Sequence, residues 1–496
     1  MKLDSKYSEW LIELIRLNSD KCNFEVANVC NTNLFSNNIQ QIISKKNGVL
    51  YWNYLFSVPF FLFKNLLSLC KEFLFLLKLW TLRDSSRINS KNVQYKLKLF
   101  IDIYIPQYAV YDGIWYDRMY KNAFANLERH DIGYVLTIDY IDGLFNLDKI
   151  AKNCPGNLIF PVDFLSPIDL IKIYFDFLKQ CNVSLPRGLL SPDVDRSVKL
   201  NYIENRYRRS VLLGILNKRF IKNVALKIKF DTFILWHENR CQDRGFISGL
   251  RNFANEVKIV AYQGYFVCRN TYNGYFPNIS DILLKTTPSA LYVDGRINFE
   301  IALSCVKNTE IKLGPSLRFK PVKRNAINSK ARSVLVLLPM DDHLSYRLIE
   351  FTMRSINDDH RLILRPHPLS PGMKFLRLQN SGASNQMVLS SKDLIDDFED
   401  AFIAIGSNTS ALIECYTYGI PCVGLKLNGD FENIFNTEVA PHQYNLDEHS
   451  SCLEIIKKYA NMDEDERVET VRTIQKFSSS NYLTEFSDEI LNEMIK

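Results

Sequence analysis

The sequence lacks the features that would assign it to a disulfide-rich, zinc-binding or exported class. Its 11 cysteines are odd in number and irregularly spaced, and no two form a Cys-x-x-Cys pair. That spacing argues against a disulfide framework and a zinc site, and it indicates reduced, mostly buried thiols. The chain begins MKLDSKYSEW, without the basic and then apolar run of a signal peptide. We therefore expect a cytoplasmic protein.

An excess of charge of one sign is also missing. The 61 basic and 55 acidic residues leave a net charge of +6 over 496 residues, which is too dilute to favour nucleic acid as a partner. A membrane surface or an anionic substrate fits this balance equally well. The hydrophobic content of 47% is enough for sizeable cores and excludes wholesale disorder, and the length predicts more than one domain.

One long apolar stretch lies near the start of the chain. The run NGVLYWNYLFSVPFFLF is uncharged, and NLLSLCKEFLFLLKLW follows it with interleaved charges. The uncharged part is at the short limit for a membrane span, which needs about 20 apolar residues. We expect residues 1–90 to be mainly helical and partly membrane-interfacial, with 47–80 lying on a bilayer surface. The alternative is a helical hairpin that packs on the rest of the protein.

Two series of short apolar runs alternate with helical patterns. The first series, within a domain predicted at 91–315, has runs at 99–105, 133–138, 157–162, 232–236, 257–262 and 282–284. The second, within a domain predicted at 325–480, has runs at 333–339, 361–366, 387–390, 401–406 and 421–425. Polar or basic linkers are expected at 84–98 and 314–332, and a terminal helix at 481–496. The alternation predicts an α/β protein with two Rossmann-like domains that face a cleft.

A small polar cluster follows the strand predicted at 401–406, and it consists of Ser407, Asn408, Thr409 and Ser410. It begins a helix whose end is marked by Gly419 and Pro421. Free N–H groups and the positive end of the helix dipole favour a phosphate there. Glu414, one turn after Ser410, can accept hydrogen bonds from ribose hydroxyls. The alternative is simple helix capping by the hydroxyl groups.

A second set of candidates lies in the turn RLILRPHP, and it consists of Arg365, His367 and Pro368. This turn follows a predicted strand and so lies at the same sheet edge as the polar cluster. A histidine fixed by a following proline can contact a phosphate or a base edge from a rigid position. Alone it would more often be an exposed turn residue, but the two sets together predict a nucleotide site.

Together these motifs resemble those of bacterial glycosyltransferases of the GT-B fold. The shared pattern is strand-His-Pro, then Gly-Ser-x-Thr-Ser-x-x-x-Glu from Gly406, then Gly-x-Pro ending at Pro421. It is closest to enzymes of capsule, O-antigen and lipopolysaccharide synthesis that use CMP-activated sialic acid, Kdo or other nonulosonic acids. The resemblance implies that His367 contacts the CMP moiety and that Ser407, Thr409 and Ser410 bind its phosphate.

The resemblance also implies the partners of the protein. They are a nucleotide-sugar donor, a glycan or lipid-linked glycan acceptor, and the inner face of the bacterial inner membrane. The middle of the chain, with LWHENRCQDRGF, AYQGYF and IKLGPSLRF, is similar to uncharacterised surface-carbohydrate biosynthesis proteins. It departs from them twice: Gly264 stands where a histidine is often seen, and His237 is inserted between Trp236 and Glu238.

Glycosyl transfer needs a carboxylate at the acceptor hydroxyl or the anomeric carbon, and cations that hold the departing phosphate. Glu238 is the first candidate, because it follows a predicted strand and therefore lies at the cleft mouth. Asp112 and Asp142, each before a glycine, come next. The alternative to a catalytic role is that each of these carboxylates is a turn residue or an ion-pair partner. Arg318 can pair with the sugar carboxylate or the phosphate, or it is a solvated linker arginine.

No metal or other cofactor is expected. The seven histidines are scattered, and Asp341-Asp342 is interpreted as a helix cap. Three alternatives stay open: a CDP-polyol phosphotransferase of teichoic-acid type, a UDP-sugar transferase or epimerase of the same fold, and a non-catalytic assembly partner.

Overall fold

The computed structural model describes the chain in sections. These are residues 9, 13, 16, 50–81, 97–104, 110–111, 114–115, 120, 134–139, 157–179, 207–266, 276–277, 279–318, 333–339, 341–356, 360–367, 370, 387–391, 394–407, 409–427, 440–485 and 487–495.

The first sheet contains seven parallel strands. They are β1 (Leu97–Tyr104), β4 (Tyr134–Asp139), β5 (Asn157–Ile159), β6 (Phe230–Trp236), β7 (Lys258–Gln263), β8 (Ala290–Asp294) and β9 (Glu310–Gly314). Their spatial order is β5-β4-β1-β6-β7-β8-β9. This is the doubly wound order, in which the direction of strand addition reverses between β1 and β6. A separate antiparallel pair joins β2 (Val110–Tyr111) to β3 (Ile114–Trp115).

The second sheet contains six parallel strands. They are β10 (Ser333–Leu337), β11 (Arg361–Arg365), β12 (Met387–Leu389), β13 (Ala401–Gly406), β14 (Cys422–Lys426) and β15 (Gln443–Asp447). Their order is β12-β11-β10-β13-β14-β15, so the reversal point lies between β10 and β13. Buried β-branched and leucine side chains fill the central strands, as expected for sheets covered on both faces.

Helices connect and cover the strands. They are α1 (Leu50–Thr81), α2 (Pro167–Leu178), α3 (Arg209–Ala225), α4 (Cys241–Phe253), α5 (Ile279–Leu283), α6 (Arg296–Cys305), α7 (Asp342–Met353), α8 (Leu394–Asp400), α9 (Ala411–Tyr418), α10 (Leu453–Ala460), α11 (Glu464–Asn481) and α12 (Asp488–Ile495). The structure thus confirms the predicted fold class, an α/β protein with two parallel-sheet units.

One predicted strand is wrong. Residues 282–284 were expected to form a strand, but helix α5 covers Ile279–Leu283 and the strand lies later, at β8. The reason is Asp281, which is fully buried and accepts hydrogen bonds from Arg244 and Thr286, whereas Leu283 is 45% exposed. A three-residue apolar run carries no information about such a buried ion pair.

Two of the four edge strands, β9 and β15, were not predicted from the sequence because they are polar. β9 carries Glu310 and Lys312, and β15 carries polar residues along most of its length. Edge strands are half exposed, so their composition resembles that of loops.

The apolar segment near the start forms one continuous helix, α1, and not a hairpin. One face of it is buried against the first domain. Within the described part of the chain, none of the helices combines the length and the apolar character required to cross a membrane.

The end of the chain returns to the first sheet. Thr232 of β6 donates a hydrogen bond to the carbonyl of Ile495, and Tyr292 of β8 donates one to the carbonyl of Glu493. A helix lies where the terminal helix was predicted, and it packs on the first sheet although it follows the second in sequence. The domain boundaries themselves stay predictions.

Candidate functional site

The candidate nucleotide-binding residues of the second sheet lie at the carboxyl ends of its strands, beside the point where the strand order reverses. Arg365 and Gly406 are the last residues of β11 and β13, and both pair in register with Leu337, the last residue of β10. His367 and Ser407 therefore follow strands on either side of β10. In open α/β sheets, ligands bind beyond the carboxyl ends of the strands where the order reverses. The sequence predicted the shared edge, and only the strand order reveals the reversal point.

The helix after this polar cluster begins and ends as predicted. Gly419 has φ +101° at the carboxyl end of α9, and its N–H donates to the carbonyls of Cys415 and Tyr416. Ser410 occupies the N-cap position with a helical backbone, and its hydroxyl makes no capping hydrogen bond. Thr409 Oγ1 accepts a bond of 3.4 Å from the N–H of Ala411. Simple capping therefore does not account for Ser410.

Arg365 is held by a buried carboxylate. Its Nη1 lies 3.1 Å from Asp397 Oδ2 and 3.3 Å from Ser390 Oγ, and the Ser390 hydroxyl also donates to Asp397. Asp397 is almost fully buried, and the Arg365 side chain remains 25% exposed. The ion pair fixes the guanidinium at the sheet edge while leaving part of it open to an anion.

Glu238 lies at the reversal point of the first sheet. It follows β6, two residues beyond Trp236, and the neighbouring strand β1 begins the opposite half of the sheet. Its Oε1 accepts a bond of 3.0 Å from Trp236 Nε1, and its Oε2 lies 3.7 Å from Arg240 Nε. Its backbone N–H donates to the buried Asp243. Both the carboxylate and its backbone are therefore fixed, and the side chain is 18% exposed.

A chain of contacts links Glu238 to the candidate nucleotide-binding residues of the second sheet. Trp236 packs edge-on against Tyr265, with ring centroids 5.4 Å apart. The Arg318 guanidinium lies 4.8 Å from the centroid of the Tyr265 ring. Arg318 Nη2 is in turn 3.5 Å from Glu414 Oε1 in the first turn of α9. Arg318 is thus buried between Tyr265 of the first domain and Glu414 of the second, and it is not a solvated linker arginine.

Packing leaves no room for a side chain at Gly264. A Cβ added at Gly264 would lie 2.5 Å from Trp236 Cη2 and 2.8 Å from Tyr262 Cε1. The indole therefore fills the space that a side chain would need. The same indole donates a hydrogen bond to Glu238, so its position is fixed on both sides.

Two buried titratable groups flank the site. Burial lowers the pKa of His237 to about 4, and among the described residues neither ring nitrogen has a hydrogen-bond partner. The carboxylate of Asp243 lies 4.0 Å from its Nδ1. Burial raises the pKa of Asp294, the last residue of β8, to about 7, although Ser316 and Thr484 donate to its Oδ1. Sequence reasoning missed Asp294 and Tyr265, since nothing in the local pattern marks either.

Four predicted site residues lie outside the described residues, and they are Asp112, Asp142, Pro368 and Asn408. Asp341 is confirmed as a helix cap, because its side chain accepts from the N–H of Leu344. The described portion of the chain holds no cluster of three or more side chains suited to a metal ion. Its six described cysteines are free, and four of them are buried.

No family model matches the chain, and no curated protein matches it. Several solved structures are similar in outline. UDP-GlcNAc 2-epimerase from Methanocaldococcus jannaschii, in complex with UDP-GlcNAc and UDP, is 12% identical with a TM-score of 0.42, over 77% of this chain and 98% of that chain. Acinetobacter baumannii MurG is 8% identical with a TM-score of 0.42, over 80% and 98%. S. aureus MnaA with UDP is 10% identical with a TM-score of 0.46, over 80% and 95%.

Proposed function

We propose that this chain is a glycosyltransferase that moves a sugar from a nucleotide-activated donor onto a bacterial surface glycan. The donor that its motifs favour is a CMP-activated nonulosonic or ulosonic acid. The acceptor is a capsule, O-antigen or lipopolysaccharide glycan, presented at the inner face of the inner membrane.

The observation that carries the proposal is the contact chain between the two sheet edges. It joins the best-placed carboxylate of the first sheet, Glu238, through Trp236 and Tyr265 to Arg318, and Arg318 to Glu414 of the second sheet. A sugar attached to a nucleotide spans these two edges, with the nucleotide at α9 and the anomeric carbon toward Glu238.

In this arrangement each group has a separate task. The N–H groups and hydroxyls at the start of α9 bind the phosphate, and the exposed part of Arg365 adds a positive charge. A phosphate or sugar carboxylate competes with Glu414 for Arg318, which releases the Glu414 carboxylate toward the ribose hydroxyls. Glu238 accepts the proton of the acceptor hydroxyl as the glycosidic bond forms and the nucleoside phosphate leaves. Asp112 and Asp142 remain alternatives for this last role.

Nucleotide binding is the first test. The melting temperature is measured with CMP, CDP, UMP and UDP for the wild type, for His367→Ala and for His449→Ala. His449 is a matched control because its side chain is 87% exposed and it follows β15, which lies four strands away from β11, the strand that precedes His367. A ligand at about 100 times its dissociation constant stabilises the folded state by about 2.7 kcal/mol, which is a measurable shift.

We expect CMP to raise the melting temperature of the wild type and of His449→Ala, and not of His367→Ala. Stabilisation by UDP or CDP in place of CMP would overturn the sugar-acid donor and favour a UDP-sugar enzyme or a polyol phosphotransferase. Stabilisation by none of the four would reject the nucleotide site altogether.

A further inference from the structure

Helices α1 and α2 expose an unusual amount of apolar surface. Ten of their large hydrophobic side chains are 45–63% exposed, and these are Leu62, Phe63, Leu66, Leu67, Phe73, Leu74, Leu77, Ile168, Ile171 and Phe175. We refer to these ten side chains as the apolar face. Soluble proteins expose single hydrophobic residues routinely, but a contiguous set on adjoining helices marks a binding surface.

The opposite side of α1 fixes the helix to the first domain. Glu72, 3% exposed, accepts a bond of 2.8 Å from Arg209 Nε, and the guanidinium of Arg209 lies 4.0 Å from the centroid of the Phe75 ring. Ser68 Oγ donates to the carbonyl of Tyr207 at 2.6 Å. Because the buried side is held by an ion pair and hydrogen bonds, the apolar face is a fixed outer surface of the domain.

Helix α2 extends this surface. Phe73 of α1 contacts Tyr174 of α2 with ring centroids 5.2 Å apart, and the Tyr174 hydroxyl donates to the carbonyl of Leu69. On α2 the exposed residues of the apolar face lie opposite Leu170 and Ile173, which are buried. Both helices are thus apolar on two sides, one in the core and one outside.

Charge distinguishes the partners that such a surface can bind. Lys64, Lys71 and Lys78 recur every seven residues along α1, and all three are exposed. At 100° per residue they form a row along one flank of the apolar face. The sole acid within α1 is Glu72, which is buried against Arg209. A second copy packed on this face would bring the same lysines and no exposed acid from α1, whereas a bilayer offers hydrocarbon beside anionic headgroups.

We propose that α1 and α2 together form a docking surface for an anionic phospholipid bilayer. The apolar face enters the interface between headgroups and acyl chains, and the lysine row binds lipid phosphates. The fixed contacts on the other side of α1 then hold the first domain in one orientation on the membrane. This inference deepens the membrane location in the proposed function and does not depend on the donor chemistry.

The test measures co-sedimentation of the full chain with phosphatidylcholine vesicles, with and without phosphatidylglycerol. The variants are Leu67→Glu combined with Leu74→Glu, the α2 variant Ile171→Glu, and Lys64→Gln combined with Lys71→Gln and Lys78→Gln. The control is Leu226→Glu, because Leu226 is 81% exposed and lies at the far end of α3. The melting temperature of every variant, with and without CMP, separates lost docking from lost folding and from lost nucleotide binding.

We expect the wild type and Leu226→Glu to bind vesicles that contain phosphatidylglycerol. Each glutamate in the apolar face should weaken binding about tenfold or more, because it removes the burial of one large side chain. The lysine variant should lose about a hundredfold on anionic vesicles and little on phosphatidylcholine.

Two results would overturn the docking surface. One is wild-type protein that does not bind either kind of vesicle. The other is a wild-type dimer in light scattering that Leu67→Glu with Leu74→Glu dissociates while vesicle binding is unchanged, which would assign the face to a second copy.

Discussion

Among the 55 acidic residues of the chain, Glu238 is the one that we propose as the base. It follows a central strand at the reversal point, an indole N–H orients it, and an arginine lies beside it at 3.7 Å. These contacts fix where the carboxylate lies and leave part of it exposed, as a general base requires.

Glu238→Gln tests its role. We expect the turnover of donor and acceptor, followed by release of the nucleotide, to fall about 10²- to 10⁴-fold, because glutamine cannot accept the proton. The nucleotide-induced shift in melting temperature should be retained. Trp236→Phe, which removes the orienting N–H, should give a smaller loss of turnover. Full activity of Glu238→Gln would exclude it as the base and leave Asp112 and Asp142.

The raised pKa of Asp294 predicts how the stability of the protein depends on pH. Its pKa is raised from an ordinary 3.8 to about 7 by burial, so the folded state holds a proton that the unfolded state releases. The stability that this group contributes is therefore complete below about pH 4 and is lost as the pH rises through about 7.

Asp294→Asn cannot ionise but keeps an acceptor for Ser316 and Thr484. The free energy of unfolding is measured in urea for the variant and the wild type. As the pH rises from about 4 to about 7, the value for the variant should increase relative to that for the wild type. The same substitution at the exposed Asp231 is the control. A pH dependence for Asp294→Asn no different from that of the control would refute the assignment.

At the scale of elements, the crossing of α3 and α4 depends on two glycines. A Cβ added at Gly245 would lie 2.2 Å from the carbonyl oxygen of Gly214, and one at Gly214 would lie 2.6 Å from that of Cys241. The helices are therefore in backbone contact. Because α4 follows the Glu238 segment directly, its position also fixes Asp243, which holds the Glu238 backbone.

Gly245→Ala should lower the free energy of unfolding by about 1–3 kcal/mol, the usual cost of overpacking, because backbone atoms must move apart. Ser248→Ala, one turn along the same helix, removes an atom and is the control. Urea unfolding measures both. A Gly245→Ala variant no less stable than Ser248→Ala would show that the helices separate without cost.

At the scale of the whole molecule, Tyr482 joins the two sheets. Its ring packs edge-on against Phe266, after β7, and against Tyr416 of α9, each at 5.7 Å between centroids. Its hydroxyl exchanges hydrogen bonds with Gln443 of β15. The backbone beside it fills the space at Gly295, whose φ is +75° and where a Cβ would lie 2.3 Å from the Tyr482 carbonyl oxygen.

Tyr482→Ala should destabilise the protein by about 3–5 kcal/mol and split one thermal transition into two, because it removes an aromatic contact shared by both sheets. Tyr482→Phe keeps the ring and loses the hydroxyl, so we expect about 1 kcal/mol and a single transition. Calorimetry distinguishes these results. A single transition for Tyr482→Ala would mean that other contacts hold the sheets together.

The sequence by itself predicted ten of the thirteen strands of the two sheets and missed β8, β9 and β15, and it placed the Arg365 and Ser407 sets at the carboxyl ends of strands of one sheet. These are properties of local pattern: apolar runs, the Gly419 and Pro421 stop signals, and polar residues directly after strands. The nucleotide and sugar roles of those residues stay predictions.

Only the tertiary structure decided which distant residues meet. Arg318 and Glu414 lie almost a hundred positions apart, and their contact depends on how the two sheets pack. The contact of Tyr265 with Trp236 depends on the pairing of β6 with β7. The helix at 279–283 depends likewise on the buried pairing of Asp281 with Arg244. Such contacts depend on burial and charge between segments that are remote in the chain, so local sequence patterns do not predict them.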